Sequence, residues 1–525
     1  MTWDAAFRAK IEQANCSLSF IVEEIPVYRF TVADSAPGGN VALTSKSHPN
    51  YDEGLDPVSI QLGPQAVDPR TFKYSGGTWR FTFRPRDATG DQNFVENVRR
   101  GTPLVLKFGY SRLDVGDYEP IAVGCVASVV RKYRAYEVEC WDLLSYLVAP
   151  IRNNYTLPTD GQTGQFYAAI ASTTLTANYT AGSGTLTVTS TTGFDRENAG
   201  TGLVLVTPTG NPPFYLTYTG IAATSFSTAT GGASFGTSDV NAVIGDTVEE
   251  CWYCAGHPFT VLEKMLVSGG TAGTNGPRDV YPVDWGYGVD ADRFDNADMA
   301  VWRTAMAPAT GVWSIEYYGQ TTVTQGLQAY LDYLSLMGAW ACVRQGKITT
   351  RFVQDLRPVA SPVTTGLIIK NSDIVGGDVD MWDPRAGFQV NTIKVIATGS
   401  TASSAVSHKA TTPLVAYQEY DLTAYLWSNI DKCCEEVRDR VKYWTYQVPE
   451  RIRLRLAGRI WWRLCVGDVV SLTADVVRGR LDSTWEGYNS KEVMVMAIRI
   501  GCPAPYVDVE LGAMPTDAAD EFEGS

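Results

Sequence analysis

GTPLVLKFGY (Gly101–Tyr110) followed by IAVGCVASVVRKYRAYEVECWDLLSYL (Ile121–Leu147) reads as glycine, strand, polar excursion, strand, short break, strand. More than three hundred residues later the same succession returns in VGDVVSLTAD (Val466–Asp475) and EVMVMAIRIGCPAPYVDVELGA (Glu492–Ala513). Alternating apolar and polar positions bounded by glycine and proline are the signature of strands. Two copies near the two ends of one polypeptide therefore predict two similar sheets with unrelated material between them.

The sequence outside these copies sorts into blocks. Residues 1–150 predict an N-terminal amphipathic helix, with Trp3, Phe7 and Ile11 on one face, and then a first β domain. In that domain Trp79, Phe81 and Phe83 alternate with Arg80, Thr82 and Arg84, and WDLLSYL forms a short closing helix. Residues 160–248 are dominated by Thr, Gly, Ser and Ala. Leu186 and Val188 alternate with Thr187 and Thr189, which predicts a small inserted β-module rather than a flexible linker. Residues 249–375 predict an α/β middle domain, with helices at HPFTVLEKML, NADMAVWRTAMA and QGLQAYLDYLSLMGA and a hairpin turning on Gln345-Gly346. Residues 376–514 return to β, with a long helix expected over Asp421–Gln447 and a strictly alternating RIRLRL strand. Residues 515–525 form an acidic tail. The fold class is mainly β with an α+β middle.

A chain of 525 residues exceeds one core and predicts three to four domains. The net charge of −14 removes any bulk attraction for nucleic acid or anionic lipid. No apolar run of about 18 residues exists to span a membrane, and the N-terminus lacks the basic head and apolar stretch of a signal peptide. Ten cysteines in so long a chain do not make a disulfide framework; they read as buried free thiols.

The search for chemistry finds little. The three histidines, His48, His257 and His408, stand in no nucleophile motif, and GxSxG, HExxH and GxxxxGK[ST] are absent. No catalytic and no cofactor-binding residue is expected. CWYCAGH offers Cys251, Cys254 and His257 as the nearest approach to a metal set. A structural zinc site needs a fourth ligand, and no second CxxC supplies one, so no metal is expected. Asp284, Asp290, Asp292, Asp295 and Asp298 lack the EF-hand's glycine and closing glutamate. Asp295 or Asn296 reads as a helix N-cap instead. Arg451, Arg453, Arg455 and Arg459 lie near aromatics, but in an acidic chain they read as a solvated or interface face able to bond to acids of neighbouring subunits.

Taken together, GTPLVLKFGY…IAVGCVASVV…YEVECWDLL and GRIWWRLCVGDVVSL…EVMVMAIRI…YVDVELGA resemble the central hub proteins of bacteriophage tail tips and baseplates. The stretch FDNADMAVWRTAMAPATGVWSIEYYG…GLQAYLDYLSLMGAWACVRQGKITTRFV is similar to the α/β segments between hub barrels. The resemblance implies two hub-type β-barrel domains per chain and a homotrimer, a structural virion protein at the distal end of the tail, made in the host cytoplasm. Three chains would then place six barrels in a ring under a sixfold tail tube, while a threefold tip continues below. The implied partners are further copies of this chain, a distal tail or tail-tube protein above, and a tip, fibre or spike protein below. DNA would be met only in transit through a channel, and no membrane insertion or cofactor is implied. Two other classes compete. A secreted or surface β-rich carbohydrate-binding protein would use exposed tryptophans, and the missing signal peptide and the unpaired cysteines weigh against it. A tail-associated glycan or cell-wall hydrolase would need an acid/base set that no motif supplies.

Overall fold

Alternation of apolar and polar residues sets the first sheet. The computed structural model describes residues 18–24, 42–45, 51–110, 118–148, 171–180, 182–194, 202–211, 214–228, 234–235, 241–266, 289, 293–306, 315–319, 323–356, 362–375, 379–382, 392–398, 403–409, 417–427, 430–445, 450–477 and 488–513. The N-terminal helix expectation, His48, Asp284, Asp290, Asp292 and the acidic tail lie outside the described residues.

The first block supplies β1 (Leu18–Glu24), β2 (Ala42–Thr44), β3 (Asp52–Glu53), β4 (Leu55–Leu62), β5 (Gln65–Val67), β6 (Tyr74–Ser75), β7 (Thr78–Phe83), β8 (Pro103–Tyr110), β9 (Glu119–Lys132) and β10 (Ala135–Asp142). Eight of them make one sheet in the order β3-β2-β1-β8-β9-β10-β7-β4. Trp79, Phe81 and Phe83 point into the core and Arg80 points out, as the alternation requires. The sheet curls until its two edge strands follow one another in the chain. Gly54, between them, donates its N–H to Thr44 O and accepts from Arg84 N. No ladder runs along that seam, so the closed barrel expected here is corrected to a curled open sheet. Reading the whole block as β also missed α1 (Ala88–Asn97). Gly90 weakens its helical pattern, but Asp87 caps it by accepting from Gly90 N at 2.8 Å, and Phe94 stacks on Phe83 at 5.0 Å. The short helix α2 (Leu143–Val148) forms as expected.

The Thr/Gly-rich block folds as β11 (Ser172–Thr174), β12 (Thr185–Thr187), β13 (Gly202–Thr207), β14 (Phe214–Ala222), β15 (Ser225–Thr228), β16 (Ser234–Phe235) and the first half of β17 (Thr247–Gly256). Leu175, Leu186, Val188, Val204, Phe214 and Phe226 are among the residues of a core of its own. That core is distinct from the continuous apolar core that joins the rest of the described chain.

In the middle, α3 (Pro258–Leu266), α4 (Asn296–Met306) and α5 (Val323–Leu336) match the expected helices. They accompany β18 (Ile315–Gly319) and the hairpin of β19 (Ala339–Arg344) and β20 (Lys347–Phe352). Gln345 and Gly346 turn that hairpin, both with positive φ, at 46° and 79°. The last block contributes β21 (Thr364–Lys370), β22 (Asp380–Trp382), β23 (Thr392–Thr398), β24 (Ser403–Lys409), β25 (Tyr417–Trp427), α6 (Ile430–Thr445), β26 (Glu450–Ala457), β27 (Val469–Ala474), β28 (Tyr488–Gly501) and β29 (Tyr506–Ala513). The long helix expected from Asp421 begins only at Ile430. The residues before it pair as β25 with β23, a tertiary ladder that overrides the helical spacing. β17, β18, β25, β23 and β24 continue the module's sheet. The terminal sheet runs β21-β27-β28-β29-β26-β22, and it too is open rather than closed into a barrel among the described residues.

Candidate functional site: two superposable sheets

The site is the repeat itself. In the first sheet β7, a helix, β8, β9 and β10 follow in sequence and lie in the order β8-β9-β10-β7. In the last, β26, the 3-10 turn Arg459–Arg463, β27, β28 and β29 follow in sequence and lie in the order β27-β28-β29-β26. β9 and β28 both have 14 residues, and β10 and β29 both have 8. In each copy the register slips between the fifth and sixth residues of the eight-residue strand, Glu139/Cys140 and Glu510/Leu511. That leaves Ala127 and Met496 as the extra residues, each the ninth of its long strand. A β-bulge bends and twists a strand, so the same bulge in the same place gives both sheets the same curvature.

The agreement extends to single bonds. Gly101 donates its N–H to Val126 O at 2.8 Å, and Gly467 donates to Val495 O at 2.7 Å. Val126 N donates to Thr102 O and Val495 N to Asp468 O, both at 2.9 Å. Both glycines hold positive φ, 91° and 95°, a region that side chains disfavour. Thr102 Oγ1 accepts from Arg99 N at 3.0 Å and Asp468 Oδ2 accepts from Cys465 N at 3.0 Å, each three residues back. On the outer face Arg80 pairs with Glu139 at 2.7 Å, and Arg453 pairs with Glu510 at 3.2 Å, at matching positions of the ladder.

Those pairs revise the arginine reading. Within the chain Arg453 and Arg455 bond to Glu510 and Asp508 of the adjacent strand, and both remain exposed. Arg451 lies on the same side of the strand and reaches Glu510 at 3.9 Å, but that end of the face is covered; Arg451 is buried, and burial lowers its guanidinium pKa to about 10. Arg459 lies over the Trp462 ring.

The two sheets touch. β5, from the first block, pairs antiparallel with β28 of the last, Ala66 opposite Ala497 and Gln65 opposite Ile498. Phe108 meets Trp462 edge-on at 5.0 Å. The middle hairpin docks on the second sheet through a buried ion cluster. Arg351, fully buried, donates to Asp468 Oδ1 at 2.9 and 3.2 Å and to Asp298 Oδ2 at 2.5 Å, and it lies over Trp302. Burial alone would lower the Arg351 pKa, but Asp468 and Asp298 raise it above the ordinary arginine value. In turn the Arg351 charge, a hydrogen bond from Thr349 and the Arg344 charge hold Asp298 below the usual carboxylate range despite its own burial. Asp295 caps α4 by accepting from Asp298 N at 3.2 Å, settling that alternative in favour of Asp295.

The structure spreads CWYCAG along an unbroken strand and sets His257 just past its end. β17 runs from Thr247 to Gly256, its backbone pairing Cys251 with Leu203 and Cys254 with Tyr317, so this CxxC stands in extended chain rather than in a tight turn. His257 Nδ1 accepts from Phe259 N at 3.2 Å, which spends that lone pair on the start of α3. Burial, with Arg303 and Arg440 nearby, lowers its pKa to about 3 and keeps the imidazole neutral. Among the described residues no three His, Cys, Asp or Glu side chains gather as a metal set.

No family model and no curated protein matches the chain. Among solved structures it is similar to the 43 kDa tail protein of prophage MuSo2 from Shewanella oneidensis. The identity there is 7%, over 95% of this chain and 98% of that one, with a TM-score of 0.38. It is similar to prophage tail protein gp18 from Listeria monocytogenes EGD-e, at 7% identity over 94% of each chain and a TM-score of 0.37. The tail protein from Neisseria meningitidis MC58 is similar at 10% identity, over 88% of this chain and 96% of that one, with a TM-score of 0.32.

Proposed function

We propose that this chain is a structural protein of a phage virion, the hub of a tail tip or baseplate, and that it works as a homotrimer. The observation that carries the reading is the duplicated sheet, equal in strand order, bulge position, glycine hydrogen bond and outer ion pair. Random divergence has no reason to hold a bulge at one position in two sheets some 370 residues apart. A requirement that both sheets offer the same curvature to equivalent neighbours does. Within one chain the block that builds the first sheet already lends β5 to the second sheet's β28, and such a head-to-tail contact gives a ring when the rotation that repeats it closes. Three chains would give six sheet positions below a sixfold tail tube, while the remainder keeps threefold symmetry for a tip, fibre or spike protein.

In this reading the ring lines the DNA exit channel, and the chain's net charge of −14 disfavours adhesion of phosphate to the wall. The role is structural rather than catalytic, needs no cofactor or metal, and involves no membrane insertion. The proposed division is a first hub domain over 1–150, the module over 160–248, the α/β middle over 249–375, a second hub domain over 376–514 and a tail over 515–525. The separate core of the module supports its part of that division. Native mass spectrometry of the purified chain tests the proposal: a trimer of the 57.3 kDa chain is expected, and a monomer at every concentration tried overturns it.

A further inference from the structure

The two sheets differ at one edge, and the difference identifies a surface. In both, the 14-residue strand outruns its neighbour. β27 accompanies β28 as far as Met494, the Gly467–Val495 bond closes that ladder, and β5 then takes over the same edge at Ala497 and Ile498. In the first sheet β8 accompanies β9 as far as Cys125, and the Gly101–Val126 bond closes the ladder. Beyond it, Ser128 and Val129 hold the positions of Ala497 and Ile498, yet among the described residues no strand lies along them.

The side chains there are those of an edge awaiting cover. Val130, at the position of Arg499, is 48% exposed, and Tyr133 at the hairpin tip is 89% exposed. Isolated edges are normally blunted by charge, because bare peptide groups pair readily with any strand that arrives. At Val130 an apolar residue replaces the charged one of the second sheet, Arg131 and Lys132 beyond it pair with Asp91 and Glu137 of the same chain, and the hairpin ends in a solvent-facing aromatic ring.

We infer that the β9 edge over Ser128–Lys132 is the seam between copies, covered by a second copy of this chain. The argument is the occupant of the matching edge: in the second sheet that place is held by β5, a strand supplied not by the second sheet's own block but by the block that builds the first sheet. In a ring of alternating first and second sheets, the neighbour on the other side of a first sheet is the second sheet of the next copy. This inference rests on the ring reading and adds the location of its intersubunit contact.

Hydrogen exchange of the assembled protein, compared with the same protein diluted until it dissociates, tests it. The amides of 128–132 that point away from β10 slow by about tenfold or more on assembly, whereas those of Ala497 and Ile498 are protected in both states because their partner strand β5 is intrachain. A Val130→Asp, Tyr133→Asp double variant changes only exposed side chains. It retains the wild-type circular dichroism and the melting temperature of the dissociated wild type, and it shifts from trimer to monomer at concentrations where the wild type is assembled. An assembled wild type whose 128–132 amides exchange as fast as in the monomer overturns the seam and leaves the ring standing. Protection that appears only on adding another tail protein overturns the second copy as occupant. A wild type that never assembles overturns the ring and the seam together.

Discussion

Thr102 and Asp468 occupy the same place in the two sheets, and they show what the duplication kept and what it released. Their carbonyls accept the same inter-strand bond, and their side chains accept from the backbone three residues back. Thr102 Oγ1 then donates to Asn97 O at 3.2 Å, tying down the end of α1. Asp468 turns its other oxygen to Arg351 of the middle hairpin. The backbone path is held in common, and the side chain is free to follow whatever packs on that sheet. Shape is therefore the shared requirement of the two sheets, as expected of two surfaces that meet equivalent neighbours.

Exchanging these two residues is the strongest way to break the comparison. Asp468→Thr keeps the local turn but takes from the buried Arg351 the one of its two carboxylate partners that is itself fully buried, leaving Asp298 alone. It is expected to lower stability by about 3–5 kcal/mol, read from denaturant unfolding. Thr102→Asp, at a half-buried position, is expected to change stability by about 1 kcal/mol or less. Equal losses would show that the two positions are not differentiated as described.

The paired glycines sharpen the same contrast. Alanine at either position meets a left-handed backbone, worth roughly 1–2 kcal/mol. At Gly467 the added Cβ would also stand 2.7 Å from Arg351 Cβ and 2.8 Å from Trp340, while at Gly101 it meets only the Tyr146 hydroxyl at 2.9 Å. Gly467→Ala is therefore expected to lower the melting temperature clearly more than Gly101→Ala, with about 3 kcal/mol or more lost.

A titration separates the sheets next. Asp142 ends β10, where the second sheet has Ala513, and it caps α2 by accepting from Leu144 N and Ser145 N at 3.0 and 3.2 Å. Burial raises its pKa to about 6, against the lowering effect of those bonds. A carboxyl whose folded pKa lies above its unfolded value binds more protons when folded. Its contribution is present below about pH 4 and is lost as pH rises through about 6. Asp142→Asn should remove that loss and gain on the wild type by about 2–3 kcal/mol between pH 4 and pH 7, the equivalent of some two pKa units. Parallel stability–pH curves for the two proteins would contradict the assignment. The smallest effect is expected at the outer ion pairs. Arg80→Ala and Arg453→Ala each remove an exposed pair and should cost similar amounts, under about 1 kcal/mol.

Much of the repeat was legible in the chain. The Gly-strand openings at Gly101 and Gly467, and the acid-Val-Glu runs Glu137-Val138-Glu139 and Asp508-Val509-Glu510, carry its pattern locally. The partner strands were not matched, because TWRFTF fills the core with aromatics where RIRLRL uses aliphatics, and a ten-residue helix stands where the second copy has a 3-10 turn. The pairing of β5 with β28 joins three residues to a strand more than 400 residues away, and no local periodicity announces such a contact. Open seams rather than closed barrels were likewise invisible, since closure depends on strand ends. The buried cluster left one readable sign, Arg351 inside the otherwise apolar and threonine-rich ITTRFV, but its partner Asp468 is distant in sequence.

Electron-microscopic reconstruction of the assembled protein, computed without imposed symmetry, addresses the central claim most directly. The account predicts one ring in which six four-stranded sheets, two from each of three chains, sit at equal radius and near-equal angular spacing. A map that places the β7–β10 and β26–β29 sheets at different radii, or in surroundings unrelated by rotation about a common axis, would contradict it.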